Sequence, residues 1–147
     1  MHEGILAGIR VVEIACGIPG PAAGLLLSEA GAEVIRIEAP GSDAEQGTAL
    51  FSVLNRGKRR VELDLDRDDG RGRLRALLAD ADVLIHDFIP RRAAALGLAD
   101  DVLAAACPQL VVSAITGWPS RHPLAEALPR ESLVLARLGL LDEQPGH

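Results

Sequence analysis

A short basic segment is the clearest candidate for chemistry in the sequence. Four of the five residues from 56 to 60 are cationic, namely Arg56, Lys58, Arg59 and Arg60. Arginine offers forked hydrogen bonds and lysine a point charge, so such a segment could hold a polyphosphate. The whole chain is acidic, with 15 Lys and Arg against 21 Asp and Glu and a net charge of −6. On charge alone, a solvated run at the edge of a strand explains the segment equally well.

A glycine-rich loop follows the first apolar run. Its glycines are spaced G-x-x-G-x-x-x-G, at Gly17, Gly20 and Gly24. Small residues at a helix start allow phosphate to approach backbone N–H groups, and Glu38 lies near the position of a ribose-binding acid. The G-x-G-x-x-G fingerprint is absent, however, and Pro19 and Pro21 remove amide donors. A dinucleotide site is therefore disfavoured, and a tight turn that packs helix on strand is the alternative to any ligand role.

Two further places carry groups that could react. His86 and Asp87 adjoin at a predicted strand end and could serve acid–base chemistry, but no nucleophile lies beside them in the sequence. A polar strand end with Asp87 as a cap is the favoured interpretation. Cys16 could be a nucleophile, although single cysteines are usually inert packing residues. Neither C-x-x-C nor H-E-x-x-H occurs, so we predict no metal site.

Five short apolar runs, rich in β-branched residues, predict strands buried in a sheet. They are residues 9–15, 33–37, 60–65, 82–86 and 110–115. Helical patterns lie between and after these runs. One follows Gly20 and stops at Gly31, and a short one ends at 51–54. The others cover 70–79, 90–96, 100–106 and 131–141. Asp68 and Asp69 are the expected cap of the 70–79 helix. This alternation predicts an open α/β domain with a mostly parallel sheet and helices on both faces.

Ligands of such folds bind at the carboxyl ends of the strands. The segments expected to border a site are therefore 16–21, 38–43, 86–90 and 116–118.

The composition is that of an ordinary globular domain. Hydrophobic residues make up 48% of the 147 residues and charged residues 24%, which suits one domain. The acidic net charge disfavours nucleic acid as a partner. The N-terminus lacks the features of a signal peptide, and no apolar stretch approaches the length of a membrane span. We therefore expect a cytoplasmic protein without membrane attachment, ending in a loose polar tail at residues 142–147.

Several separated motifs occur together in one order. They are residues 6–13 (LAGIRVVE), 20–27 (GPAAGLLL), 31–43 (GAEVIRIEAPGSD), 55–59 (NRGKR), 62–65 (ELDL) and 81–90 (ADVLIHDFIP). In this order and spacing the chain resembles the N-terminal part of the family III CoA-transferases. This is the CaiB–BaiF family, which includes formyl-CoA transferase and α-methylacyl-CoA racemase. The resemblance extends from about Leu6 to Leu141, nearly the whole chain.

The resemblance implies a Rossmann-like domain and chemistry on acyl-CoA. Family members move CoA between carboxylic acids through an aspartyl-CoA thioester, or they epimerise an acyl-CoA, and they form interlocked homodimers. By the resemblance, coenzyme A or acyl-CoA would border Ile18, Pro19, Gly20, Pro21, Leu54, Asn55, Arg56, Gly57 and Lys58. Its nucleotide would be faced by Asp87 and Phe88. This favours the ligand interpretation of the basic segment, because CoA carries a 3′-phosphate and a diphosphate.

The chain also departs from the family pattern. The catalytic Asp of the family lies beyond the last residue, so we expect no catalytic residue in this chain. Ala39 occupies a position where an Arg often contacts CoA. Asp87, whose charge would repel phosphate, occupies the position of the usual Asn. We therefore expect residues 1–141 to be a truncated N-terminal domain, CoA-transferase-like but inactive alone. The alternative is a non-catalytic partner or scaffold subunit.

Dependence on a partner follows from the same truncation. Stopping the fold near Leu141 is expected to expose apolar surface that the rest of a family member would cover. We expect a homo- or hetero-oligomer, in which a second polypeptide could complete the fold.

Overall fold

The computed structural model describes residues 4–42, 48–127 and 130–140. Within these ranges five strands alternate with six helices. The strands are β1 (Arg10–Ile14), β2 (Glu33–Glu38), β3 (Arg59–Glu62), β4 (Val83–His86) and β5 (Val111–Ala114). The helices are α1 (Pro19–Glu29), α2 (Ala49–Leu54), α3 (Asp68–Ala79), α4 (Pro90–Ala95), α5 (Asp100–Ala106) and α6 (Glu131–Arg137). None of these helices, across the described ranges, is long and apolar enough to cross a membrane.

The five described strands lie parallel in one sheet, in the order β3-β2-β1-β4-β5. Central β1 aligns Val12 with Ile35 of β2 on one side and with Leu84 of β4 on the other. The chain runs outward from β1 to β3 and then returns to the opposite side of β1. In open α/β sheets, a ligand crevice lies outside the carboxyl ends of the strands at such a reversal. The parallel α/β architecture predicted from the sequence is confirmed.

Two apolar layers cover the faces of the sheet, because successive strand side chains point to opposite sides. One layer joins the central strands to α3, α4 and α5, and it includes Val12, Ile35, Leu84, Leu74, Ala93 and Leu103. The other joins the same strands to α1, and it includes Val11, Val34, Ile85 and Leu27. Helices therefore lie on both faces, as predicted.

Two element ends differ from the prediction by three residues or more. β3 ends at Glu62 rather than at residue 65. The chain still follows β2 there, because the Leu63 N–H donates to the Glu38 carbonyl at 2.9 Å, and the Leu63 side chain is buried in the core. α6 ends at Arg137, earlier than the predicted residue 141. The predicted tail, residues 142–147, lies outside the described residues.

The start of α3 also differs from the prediction. The helix begins at Asp68, so Asp68 and Asp69 lie in its first turn, and Arg67 is the residue at the cap position. Carboxylates in a first turn interact favourably with the positive end of the helix dipole. The predicted capping role of the two aspartates is therefore wrong, although their place at the helix start is explained.

Candidate functional site

The carboxyl ends of β1 and β4 lie side by side at the reversal of strand order, which is where the ligand crevice of an open α/β sheet is expected. The loop after β1 and the corner after β4 touch there, because the Cys16 N–H donates to the Asp87 Oδ2 atom at 2.7 Å. Residues 16–19 of the loop are exposed, whereas Asp87 and Phe88 are half-buried. Two of the segments predicted to border a ligand, the start of α1 and the corner after β4, are thus brought together.

The start of α1 favours close packing over hydrogen-bond donation. Its first residue is Pro19 and its third is Pro21, neither of which has an N–H group, and Ile18 at the cap position makes no side-chain hydrogen bond. A Cβ atom at Gly20 would lie 2.2 Å from the Ala15 Cβ, so only glycine allows the helix to approach the strand end so closely. The helix start therefore lacks the row of amides that holds a diphosphate in dinucleotide folds. At Gly20, the glycine spacing is therefore explained by the close packing of α1 on the end of β1.

Five charged side chains form what we call the buried ion network, made up of Lys58, Glu13, Arg36, Glu38 and, at its partly exposed end, Arg60. The Glu13 carboxylate is wholly buried and accepts from Arg36 Nη1 at 2.5 Å and from Lys58 Nζ at 2.7 Å. Arg36 Nε donates to Glu38 Oε1 and Arg60 Nε donates to Glu38 Oε2, both at 2.9 Å. Cations and carboxylates alternate, so each buried carboxylate lies between two cations. This alternation compensates the cost of burying the charges.

Lys58 lies at the α1 end of the network, and its side chain is completely buried. Its Nζ atom lies 2.7 Å from the Pro21 carbonyl oxygen, 2.7 Å from Glu13 Oε2 and 3.4 Å from Asn55 Oδ1. An ammonium group has three N–H donors, so each donor has a partner within the protein. Burial lowers the pKa of Lys58, and the adjacent Glu13 carboxylate opposes that effect.

Two other cations of the basic segment point elsewhere. Arg56 pairs with Glu29, the last residue of α1, and Arg59 lies 3.7 Å from Glu33 at the start of β2. α1 has 11 residues, and at 1.5 Å per residue its ends are about 16 Å apart. These exposed arginines therefore lie towards the amino edge of the sheet, whereas the crevice is at the carboxyl edge. Cations that are close together in the sequence therefore pair with carboxylates in different parts of the structure.

The rest of the 54–58 segment forms a tight turn against α1. Leu54 ends α2 and is half-buried. The Asn55 side-chain NH₂ donates to the Phe51 carbonyl at 2.9 Å and so completes a hydrogen bond at the helix end. Gly57 has a φ of +76°, and a Cβ atom there would lie 2.9 Å from Ser28 Oγ of α1. This turn fixes the position from which the next residue, the buried lysine, reaches under the helix.

The corner after β4 holds two titratable groups. His86 is buried, its Nδ1 atom accepts from the Phe88 N–H at 3.2 Å, and the two rings stack 5.7 Å apart. Burial lowers the pKa of His86, and the negative charges of Asp87 and Asp100 oppose this effect. Burial also raises the pKa of Asp87, which the hydrogen bond from the Cys16 N–H opposes. These contacts fit the predicted polar strand end, but Asp87 bonds the loop after β1 rather than capping a helix.

We expect His86→Asn to reduce the pH dependence of folding stability. Because the folded pKa of His86 is lowered from the ordinary 6.5, the unfolded chain takes up a proton below that pH before the folded chain does. The wild-type free energy of unfolding should therefore fall as the pH drops from about 7.5 to about 5.5. The Asn oxygen can still accept from the Phe88 N–H but does not titrate. Urea unfolding at both pH values measures the effect, and equal losses in the two proteins would contradict it.

The sequence interpretation did not identify Glu13 and Arg36 as functional candidates, although they lie at the centre of the buried ion network. Each is a charged residue inside an apolar run that was predicted to be buried on both faces. A buried charge requires a partner, because its unpaired burial is costly. Since Glu13 and Arg36 are aligned in the register of β1 and β2, placing these two runs side by side would have predicted their contact.

One more polar group lies beyond the carboxyl end of β5. The Trp118 ring stacks on His122, with centroids 4.8 Å apart. The Trp118 Nε1 atom is buried, and among the described residues it has no hydrogen-bond acceptor. A buried indole N–H usually has a partner. Within the same ranges, no three His, Cys, Asp or Glu side chains are grouped so that they could hold a metal ion.

Comparison with known proteins decides the family. The sequence profile described as CoA-transferase family III matches residues 6–146. The chain belongs to CoA-transferase family III. The resemblance drawn from the ordered motifs is therefore confirmed.

Named family members are similar over most of this chain. The succinate–glutarate CoA-transferase of Agrobacterium fabrum is 32% identical over 152 residues, which cover 92% of this chain and 38% of that protein. The α-methylacyl-CoA racemase of Mus musculus is 34% identical over 139 residues, which cover 95% of this chain and 35% of that protein. The crystal structure of Rv3272 from M. tuberculosis has a TM-score of 0.88 at 32% identity, covering 97% of this chain and 41% of that one. This CoA-transferase family III chain thus spans about two fifths of the relatives it matches.

Proposed function

We propose that this chain is the CoA-binding part of a family III enzyme that transfers CoA between carboxylic acids. The observation that carries the proposal is the hydrogen bond between Cys16 and Asp87, which joins the loop before α1 to the corner after β4 at the reversal of strand order, where a crevice is expected. Ligands of open α/β sheets bind at such a crevice. The relatives are named as a CoA-transferase and an acyl-CoA racemase, which supports acyl-CoA as the ligand class.

The crevice has features that suit coenzyme A. Ile18 is exposed and the Phe88 ring is half-buried, so both offer apolar contacts to the adenine and pantetheine parts. Gly17 has a φ of +67°, and nothing lies within 4 Å of where its Cβ would be, so a ligand can approach the backbone there.

We also propose that the chain supplies no catalytic residue of its own. By the family resemblance, the Asp that forms the thioester belongs to sequence beyond the matched part. We propose in addition that the protein works as a homo- or hetero-oligomer in the cytoplasm. The alternative function is that of a non-catalytic partner or scaffold subunit. The observation in favour of this alternative is the half-buried Asp87 carboxylate, because a negative charge at the crevice opposes phosphate binding.

Titration calorimetry with CoA tests the proposed binding site. We expect micromolar binding by the wild type and about tenfold tighter binding by Asp87→Asn, which corresponds to about 1.4 kcal/mol. The Asn oxygen can still accept from the Cys16 N–H, so the charge alone is removed. Asp82→Asn is the matched control, because Asp82 Oδ2 accepts from the Arg10 N–H at 2.8 Å at the opposite edge of the sheet. Its CoA affinity should equal that of the wild type.

The absence of CoA binding by all three proteins would overturn the proposed function and favour the scaffold alternative. Intact mass spectrometry after incubation with acetyl-CoA tests the second part of the proposal. We expect no covalent adduct on this chain. A thioester on any carboxylate of the chain would show that it carries its own catalytic residue.

A further inference from the structure

We propose that Lys58 is a positioning residue, which clamps the start of α1 to β1 and thereby shapes the crevice, and that it does not contact a phosphate of CoA. The inference deepens the proposed function and rests on it only for its ligand readout. The charge pattern of the basic segment suggests phosphate binding, and the inference assigns a different role to Lys58, the one lysine of that segment.

The first argument is the saturation of the Lys58 ammonium group. Its partners are a carboxylate oxygen of Glu13, the carbonyl oxygen of Pro21 and the amide oxygen of Asn55. The side chain has no exposed surface. To reach a phosphate, the ammonium group would have to leave these acceptors, and the Glu13 carboxylate would remain buried with one cation fewer. Breaking a buried pair in this way is costly.

The second argument is what the ammonium group connects. Glu13 belongs to β1, Pro21 to the first turn of α1, and Asn55 to the turn before β3. The ammonium group therefore joins three elements at one point. Pro21 is fully buried, and only Gly20 separates it from the exposed residues 16–19. A shift of the first turn would therefore move the loop that forms one side of the crevice.

The third argument is how closely α1 approaches the ion pair. A Cβ atom at Gly24 would lie 1.8 Å from Glu13 Oε2 and 3.0 Å from Lys58 Nζ. The helix therefore lies directly on the ion pair, with no room for a side chain or a water molecule between them. In such a contact, the position of the helix depends on the position of the pair.

The test compares Lys58→Met with Arg59→Met. Methionine keeps much of the lysine volume without its charge, and the Lys58→Met protein should fold because Glu13 keeps its 2.5 Å bond to Arg36. Arg59→Met is the matched control, since it removes an adjacent cation that is exposed. Hydrogen exchange of the peptide covering residues 15–22, measured without ligand, reports the loop directly. Calorimetry with CoA at several salt concentrations reports the charge that contacts the ligand.

We expect Lys58→Met to speed exchange in residues 15–22 about tenfold more than in β4 and to weaken CoA binding about tenfold. The CoA affinity of Lys58→Met should depend on salt concentration as it does in the wild type, because no phosphate contact is lost. Arg59→Met should leave the exchange of residues 15–22 unchanged.

Unchanged exchange in residues 15–22, together with a flatter salt dependence of affinity, would overturn the proposal and make Lys58 a phosphate ligand. Faster exchange throughout the sheet, with unchanged CoA affinity of the folded protein, would overturn it in favour of a purely stabilising role. If the wild type binds no CoA, the proposed function fails, and the exchange measurement alone decides whether Lys58 positions the loop.

Discussion

Gly24→Ala should destabilise the protein by about 3 kcal/mol, although an alanine inside a helix is normally favourable. The reason is the contact below the helix, where the new methyl group would lie 1.8 Å from Glu13 Oε2. Either α1 must move away from β1 or the carboxylate must leave Lys58. Both changes disrupt the buried ion network at its most enclosed point. Urea unfolding followed by circular dichroism measures the loss.

Gly72→Ala is the matched control for this substitution. Gly72 lies inside α3, and nothing is found within 4 Å of where its Cβ would be. The added methyl group should therefore stabilise the protein by about 0.5 to 1 kcal/mol through helix propensity alone. The two substitutions are chemically identical and should have opposite signs. A stabilised Gly24→Ala protein would contradict the packing of α1 on the ion pair.

Glu13→Leu should destabilise the protein by about 3–5 kcal/mol, because it leaves two buried cations without their shared carboxylate. Arg36 would keep Glu38 as a partner, whereas Lys58 would keep only neutral acceptors. The substitution conserves approximate volume, so the loss reports the missing charge. Urea unfolding again gives the free energy difference.

Glu33→Leu provides the comparison for Glu13→Leu. Glu33 lies at the start of β2 and is half exposed, and both of its arginine contacts are 3.7 Å long. Its removal should change stability by no more than about 0.5 kcal/mol. The double variant Glu13→Leu/Lys58→Met should recover part of the Glu13→Leu loss, because the unpaired ammonium group is then gone as well. Equal stability of Glu13→Leu and the wild type would show that the carboxylate is dispensable.

The buried ion network gives this family III chain a charged patch beside the apolar layer that packs α1 on the sheet. The patch lies below the first half of α1, next to the crevice. Hydrogen bonds in a network of this kind are directional, so they hold the helix in one position where apolar contacts would allow it to slide. In the role that we propose for Lys58, the charges therefore influence the shape of the crevice without touching a ligand there.

The elements could be predicted from the sequence because their signals are local. A run such as residues 9–15 is apolar and β-branched whatever surrounds it, and five such runs separated by helical patterns lead to one α/β class. The predicted end of β3 was less accurate, because β3 is an edge strand and has a neighbour on one side only. The family could be predicted as well, since its motifs are read in order along the chain.

The roles of the charged residues were decided by the tertiary structure. Arg56 and Lys58 are two positions apart, yet one pairs with Glu29 on the surface while the other is buried against Glu13. Likewise, the Asp87 carboxylate bonds the amide of Cys16, which is far away in sequence. Composition and spacing determined that this chain has a parallel sheet, a basic segment and the motifs of its family. Only the folded chain decided which cations meet carboxylates, because such partners come from distant strands and their distances are set by strand order and register.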